Sequence, residues 1–320
     1  MQKTPIRVAV IGVGYFGKFH AQKYIQMDGV ELVGVVDVSP ETAQREALLL
    51  KTAWYTDYKE ILGKVEAVSI CVPTCCHYLI AKEFLLSGAD VFIEKPITNT
   101  YEEAEELIQI SKEKGKLIQV GHLEQFNPAM PAFKSLVEDP WIVEVSRLTP
   151  YSGRGTDVSV ILDLMIHDID LVLSIVKSDV KTVESVGEAV LGGEIDFAVS
   201  KLVFQNGCHA FLQASRVSPI MRREINVFQK NGSISLDFMN CRVSTVLLDA
   251  KKNTTVSTDK EFYDHDVLYG ELISFINCVR TRKEPVITAT MAQNALAIAL
   301  EIMAKIKKPI FSSLSKPNPS

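Results

Sequence analysis

Ile6-Arg-Val-Ala-Val-Ile-Gly-Val-Gly-Tyr-Phe-Gly17 is a short β-rich run that breaks at Gly12 into a glycine-spaced turn. A helical pattern follows to about Gln26. A second β-rich run, Glu31-Leu-Val-Gly-Val-Val36, then ends at Asp37. The order strand, glycine turn, helix, strand, acid is informative because each part has a physical task. Gly12 permits the tight turn, Gly14 lets the backbone come close to a pyrophosphate, and Gly17 lets the helix press against the strand. The helix N-terminus offers N–H groups and the positive end of its dipole to phosphate oxygens. Asp37 stands about 20 residues beyond the last glycine, where an acid accepts hydrogen bonds from an adenosine ribose and repels a 2′-phosphate. NAD is therefore expected over NADP. Tyr15 and Phe16, inside the turn, join the candidate cofactor contacts.

Outward from this unit the alternation continues. Helical patterns at about Pro40–Leu50, Tyr58–Leu62, up to Leu86 and Tyr101–Lys114 separate β-rich runs at Ala53–Tyr55, Ala67–Val72, Asp90–Glu94 and Leu117–Gly121. Repeated βα units of this length predict a doubly wound parallel sheet, a Rossmann domain over residues 1–122. Ligands bind at the carboxyl ends of such strands. Three of those ends carry polar residues: Pro73-Thr74 with His77, Glu94-Lys95-Pro96, and Gly121-His122. A cis bond is expected at Pro96, since cis proline fixes a tight turn.

The pattern then changes, and residues 123–320 read as an α+β domain for substrate binding and oligomerisation. A helix is expected at Pro128–Val137 and a strand at Ile142–Leu148. Six further strands follow between Val183 and Leu248, with the turn dipeptides Asn206-Gly207 and Asn231-Gly232 favouring hairpins and a largely antiparallel sheet. Helices at about Val267–Arg280 and Ala289–Ile306 precede a Ser/Pro/Lys tail expected to be loosely held. Within this domain Ile161–Leu173 reads as a buried helix, yet Asp163, His167 and Asp170 recur on it at i, i+4 and i+7, one face. Burying a His and two carboxylates costs stability unless they are paired or used.

Composition narrows the function. The chain has 320 residues, 47% hydrophobic and 23% charged, which fits a two-domain globular protein. A net charge of −5 with no basic block argues against a nucleic-acid footprint. No apolar run reaches membrane-spanning length. The opening Met-Gln-Lys-Thr-Pro leads straight into a strand, so no secretory signal is expected. Six scattered cysteines suit a reducing cytosol, and a cytoplasmic location is expected. Cys71, Cys75, Cys76 and His77 invite a metal reading, but no second ligand pair appears at a zinc spacing. No metal is expected, and the thiols read as small buried groups at a strand end.

Together, Gly12-Val-Gly14-Tyr-Phe-Gly17, Pro73-Thr74 with His77, Glu94-Lys95-Pro96 and Asp163-x-x-x-His167-x-x-Asp170 resemble the nicotinamide-dependent sugar and polyol dehydrogenases that include inositol dehydrogenase and glucose–fructose oxidoreductase. The resemblance spans nearly the whole chain. It implies that Lys95 sits between nicotinamide and substrate, and that Asp163 and His167 contact the sugar, with His167 moving the proton. Val120–Ala129 and Leu162–Leu171 further resemble the branch containing UDP-N-acetylglucosamine 3-dehydrogenases, which oxidise the sugar 3-hydroxyl ahead of an aminotransferase in diamino-sugar lipid A assembly. The sequence departs from that branch at Gln125, where Arg is expected; a guanidinium there would bind phosphate or carboxylate with two donors.

Alcohol oxidation by NAD⁺ needs hydride transfer and proton removal, and the protein manages the proton. His167 titrates near neutrality and suits that task; Lys95 suits positioning as a cation, or acts as the base if burial lowers its pKa. Asp163 is expected to bond a sugar hydroxyl or His167. Asp170 is expected to support them or to partner a cation elsewhere. Glu94 reads either as an anchor for Lys95 or as a contact to the nicotinamide ribose. His122 reads as a substrate contact or as a capped strand end, and Asn127 as a substrate contact implied by the resemblance. Arg216 with Arg222 and Arg223, and Arg154, read as diphosphate ligands or as solvated loop. The sensible substrates are a nucleotide sugar, or a free sugar or polyol; a non-catalytic NAD-binding sensor is the alternative of another class. A homo-oligomer, dimer or tetramer, is expected.

Overall fold

A computed structural model describes residues 4–153, 155–249, 251–263 and 266–306; Arg154 and the Ser/Pro/Lys tail lie outside them. In chain order the first elements are β1 (Ile6–Ile11), α1 (Gly17–Tyr24), β2 (Val30–Val36), α2 (Pro40–Leu50), β3 (Ala53–Tyr55), β4 (Ala67–Ile70), α3 (His77–Leu86), β5 (Asp90–Glu94), α4 (Tyr101–Lys114) and β6 (Ile118–Gly121). They are followed by α5 (Met130–Leu136), β7 (Ile142–Leu148), α6 (Ile166–Val176), β8 (Val180–Glu188), β9 (Phe197–Phe204), β10 (His209–Ser215), β11 (Arg222–Gln229), β12 (Gly232–Asp237), β13 (Arg242–Asp249), β14 (Thr254–Glu261), α7 (Val267–Thr281) and α8 (Ala289–Lys305).

The chain divides into two compact units. The first ends at Phe126 and takes back residues 266–296; the second starts at Asn127 and takes the chain from Ala297 on. The expected division at residue 122 has no such return. The returning helix α7 belongs with the first unit because Leu272, Phe275, Ile276 and Val279 share one apolar core with Val8, Val10, Tyr24 and Val35. Polar bonds fix it further: Gln119 Nε2 donates to Glu271 O at 3.2 Å, and Arg282 pairs with buried Asp90.

The first unit holds a six-stranded parallel sheet in the order β3-β2-β1-β4-β5-β6. The order reverses direction between β1 and β4, so the crevice lies beyond the ends of those two strands. Helix signals act as the sequence suggests. Ser39 caps α2, with Pro40 in its first turn, and Thr100 with Glu103 forms a capping box on α4. Residues Tyr58–Ile61 form only a 3-10 turn where a helix was expected.

The second unit holds an eight-stranded sheet in the order β14-β13-β12-β11-β7-β10-β9-β8. Its pairs are antiparallel except β7 with β10. Along β9 buried and half-buried residues alternate, and the buried rows of β10 and β11 (Ala210, Leu212, Ile225, Val227) face the same core as Ile169 and Val172 of α6. Strand β14 is exposed along its whole length, and its polar sequence carries no alternation to reveal it.

Two buried charges generate predictions. Arg147 on β7 donates to Asp168 Oδ1 on α6 through Nε at 2.9 Å and Nη2 at 2.7 Å, with both side chains buried. Asp168→Asn should lower unfolding stability by about 3–5 kcal/mol in urea titrations, because a buried cation loses its counter-charge, and pairing it with Arg147→Met should restore most of the loss. Glu271 on α7 is fully buried, and burial first, then the nearby Glu94 carboxylate, pushes its carboxyl well above the usual range. An acid raised on folding adds stability that is complete below its unfolded pKa of about 4.5 and is lost as pH rises. Glu271→Gln, which mimics the protonated form, should match the wild type near pH 5 and exceed it increasingly toward pH 8 in thermal melts. Parallel curves would show that Glu271 is ionised.

Candidate functional site

In the first unit the glycine turn is built as its spacing requires. Gly12 has φ +83°, and a Cβ there would meet Cys71 O at 2.6 Å. A Cβ on Gly17 would lie 1.8 Å from Gly12 O, so only glycine lets α1 start so close to β1. Around Gly14, by contrast, there is open space, the condition for a ligand's backbone contact. The N–H of Val13 donates to Asp37 Oδ2 and that of Ser39 to Asp37 Oδ1, both at 3.0 Å. Asp37 thus braces the turn, and each carboxylate oxygen retains a lone pair for a further donor.

A cavity of about 510 Å³ opens at this point, lined among others by Gly14, Asp37, Val72, Pro73, Cys75 and Leu79. Its walls are apolar apart from Asp37 and a few hydroxyls and thiols, which fits an adenosine with one carboxylate for its sugar. Tyr15 and Phe16 are half-exposed beside it and meet edge to face at 5.2 Å. Thr74 begins a 3-10 turn that leads into α3.

His77 departs from its expected cofactor contact. It is buried, with Nδ1 2.8 Å from Pro96 O and Nε2 2.9 Å from Val72 O. It therefore straps the loop after β5 to the loop after β4. Burial pushes its pKa down against the pull of those carbonyls, and a neutral ring donates to one of them at a time.

The Lys95–Pro96 bond is cis. Lys95 is half-buried, and its N–H donates to Glu94 Oε2 at 3.3 Å. The Glu94 carboxylate lies 3.0 Å from Nε2 of fully buried His20, and Gly121 makes room for it, since a Cβ there would come within 3.0 Å. Burial works to raise the Glu94 carboxyl, but His20, Lys95 and His77 together hold it below the usual range. His122 is buried, and its main-chain N–H faces Glu271. His20, Cys71 and Glu94 bring one ligand atom each within 4.8 Å of one another. Burial, then Glu94 and Glu271, pushes the Cys71 thiol well above its usual range.

In the second unit the polar stripe is not on one regular helix. Residues Ile161–Met165 form a π-helical turn, in which the Ile166 N–H bonds back to Ile161 O, and α6 starts only at Ile166. Such turns recur at functional sites. Asp163 lies in the π turn, His167 in the first turn of α6, and Asp170 is buried one turn on, where it acts electrostatically on Lys134.

Arg216, expected at the substrate, lies beside Asp163. It is buried and donates to Gly155 O and to Asp163 Oδ2, the latter at 3.3 Å, so it holds Asp163 and the glycine loop together. Asn127 Nδ2 donates to Phe238 O at 3.1 Å, and its Oδ1 accepts from Ala129 N at 3.0 Å ahead of α5. Arg222 pairs with Glu224 on β11, Arg223 lies on the same strand, and Gln125 is buried in a 3-10 turn. Residue type alone did not reveal His20, Glu271 or Asp168. His20 lies three residues past Gly17 on α1, the one local hint available.

Residues 6–122 match the family model described as oxidoreductase family, NAD-binding Rossmann fold, and residues 133–235 match the GFO/IDH/MocA C-terminal domain. UDP-N-acetylglucosamine 3-dehydrogenase of Acidithiobacillus ferrooxidans is 32% identical over 94% of this chain and 97% of its own length. The scyllo-inositol 2-dehydrogenase (NAD(+)) of Bacillus subtilis is 27% identical over 88% of this chain and 89% of its own. Among solved structures, that of the Acidithiobacillus ferrooxidans enzyme superposes with a TM-score of 0.89 at 31% identity, covering 95% of this chain and 98% of that one. Scyllo-inositol dehydrogenase of Lactobacillus casei, solved with NAD(H) and scyllo-inositol, shares the fold at a TM-score of 0.82 and 19% identity over 96% of this chain and 98% of that one. With a glycine turn and a cavity lined by Gly14 and Asp37 on one parallel sheet, the chain belongs to the GFO/IDH/MocA family of NAD-binding oxidoreductases.

Proposed function

We propose that this oxidoreductase oxidises a secondary hydroxyl of a nucleotide sugar, the 3-hydroxyl of UDP-N-acetylglucosamine. The observation that carries this reading is the end-to-end likeness to the Acidithiobacillus ferrooxidans enzyme, at 32% identity and 97% of its length. NAD⁺, when bound, accepts the hydride. The chain's residues manage the rest. Lys95 holds the reacting hydroxyl and stabilises negative charge developing on its oxygen. His167 takes the hydroxyl proton. Asp163, oriented by Arg216, accepts a hydrogen bond from a neighbouring sugar hydroxyl. The keto sugar is then the substrate of an amino transfer, as in diamino-sugar lipid A assembly. A cytoplasmic setting suits the thiols. A homo-oligomer suits the row of half-exposed Ile142, Phe228 and Val246 across the second unit's sheet.

A second reading, a free polyol such as an inositol, is favoured by one residue: Gln125 stands where the nucleotide-sugar branch suggests Arg, so no phosphate-binding guanidinium is present there. Retention of both Lys95 and His167 speaks against a sensor that lost catalysis. The substrate is tested by following NADH absorbance with UDP-N-acetylglucosamine, alone and with a glutamate-dependent aminotransferase that removes the ketone. Turnover is expected, with none on myo-inositol or glucose; the reverse pattern assigns a free polyol.

The roles are tested by Lys95→Ala and His167→Ala. Each should lower turnover by about 10²–10⁴-fold while NAD⁺ binding is retained. Full activity in either variant removes that residue from the chemistry.

A further inference from the structure

The first unit keeps an acidic group where a dinucleotide's nicotinamide half is received. A Rossmann sheet consists of two mononucleotide-binding halves, and β4, β5 and β6 form the second of them here. At the carboxyl end of β5 stand two adjacent residues of opposite charge, Glu94 and Lys95. Glu94 is held by three features: His20 at 3.0 Å, the space left by Gly121, and its bond from the Lys95 N–H. Behind it, on the returning helix α7, lies fully buried Glu271. The Glu94 carboxylate acts electrostatically on Glu271, and two carboxyl groups that feel each other in a low-dielectric site resist ionising together. Burial, then Glu94, pushes the Glu271 carboxyl well above the usual range, while His20 and Lys95 hold the Glu94 carboxyl below it against its burial.

The oxidised and reduced cofactors differ by one positive charge on the nicotinamide ring and little in shape. A lysine beside that ring, taken alone, repels the oxidised form. From the paired placement of Glu94 and Lys95 we infer that Glu94 makes the protein select NAD⁺ over NADH, by offsetting the Lys95 cation at the nicotinamide site. His20 and Glu271 are positioning residues: one holds the Glu94 carboxylate in place, and the other keeps the site to a single negative charge. The inference rests on NAD binding by the first unit and is independent of the sugar, so its failure leaves the substrate reading untouched, and the converse also holds.

The test is equilibrium binding without any sugar: NADH by fluorescence titration and NAD⁺ by calorimetry on the intact chain, at one ionic strength. Glu94→Gln keeps the shape and removes the charge. It should weaken NAD⁺ about tenfold while NADH stays within about twofold, the scale of one charge at close range in a partly screened site. Lys95→Met should shift the NAD⁺/NADH preference in the opposite direction. Glu271→Gln, neutral for neutral, should leave the preference at the wild-type value. Equal weakening of both cofactor forms by Glu94→Gln would reduce Glu94 to a structural anchor and overturn the inference. So would a Lys95→Met shift in the same direction as Glu94→Gln, or a loss of NAD⁺ preference in Glu271→Gln.

Discussion

The contact on which the first unit depends is the approach of α1 to the turn after β1, where no side chain fits between Gly17 and the Gly12 carbonyl. That closeness puts the helix N-terminus at the end of the strand and brings Val13 and Ser39 onto Asp37. It also sets His20, one turn along α1, beneath the end of β5, where it meets Glu94. A larger residue at position 17 would move the helix away. The phosphate site, the ribose acid and the buried His–Glu contact would separate together.

Buried charge is used in the same way in both units. Each unit places ionisable side chains under helices where apolar residues would pack at less cost. In the second unit Arg147 fixes α6 to β7 through Asp168, immediately beside His167, and Arg216 fixes Asp163 to the Gly155 loop. These bonds hold the two proposed working side chains at one irregular turn. The π turn at Ile161–Met165 is itself a departure from regular helix geometry, and such departures gather where function constrains a fold.

The parallel sheet was legible because its signals are local: glycine spacing, caps at Ser39 and Thr100, and continuous apolar strands, each readable within about 15 residues. The candidate site was legible as residue types: Gly12, Gly14, Asp37 and Pro73 line one cavity, and Gly17 lets α1 start beside it. What stayed hidden depends on partners distant in sequence. His77, Arg216 and Asn127 carry the right chemistry for ligand contacts, yet their partners are backbone carbonyls and a neighbouring carboxylate, which no local pattern announces. The return of α7 was hidden for the same reason. Its apolar face is plain in the sequence, but the core it joins was set some 240 residues earlier.

Glu271 shows why that return bears on chemistry. Read in sequence, it is an acid on a C-terminal helix, a position usually assigned to a solvated face. In the fold it is fully buried, and burial, then the Glu94 carboxylate, pushes its carboxyl well above the usual range. A buried neutral acid with no role would be replaced by leucine or methionine at a gain in stability, since the carboxyl costs desolvation even uncharged. Its value lies in what it permits at Glu94: a carboxyl that resists ionising where a second charge would repel the first. The charge beside Lys95 is therefore set by a helix that the linear order of the chain assigns elsewhere.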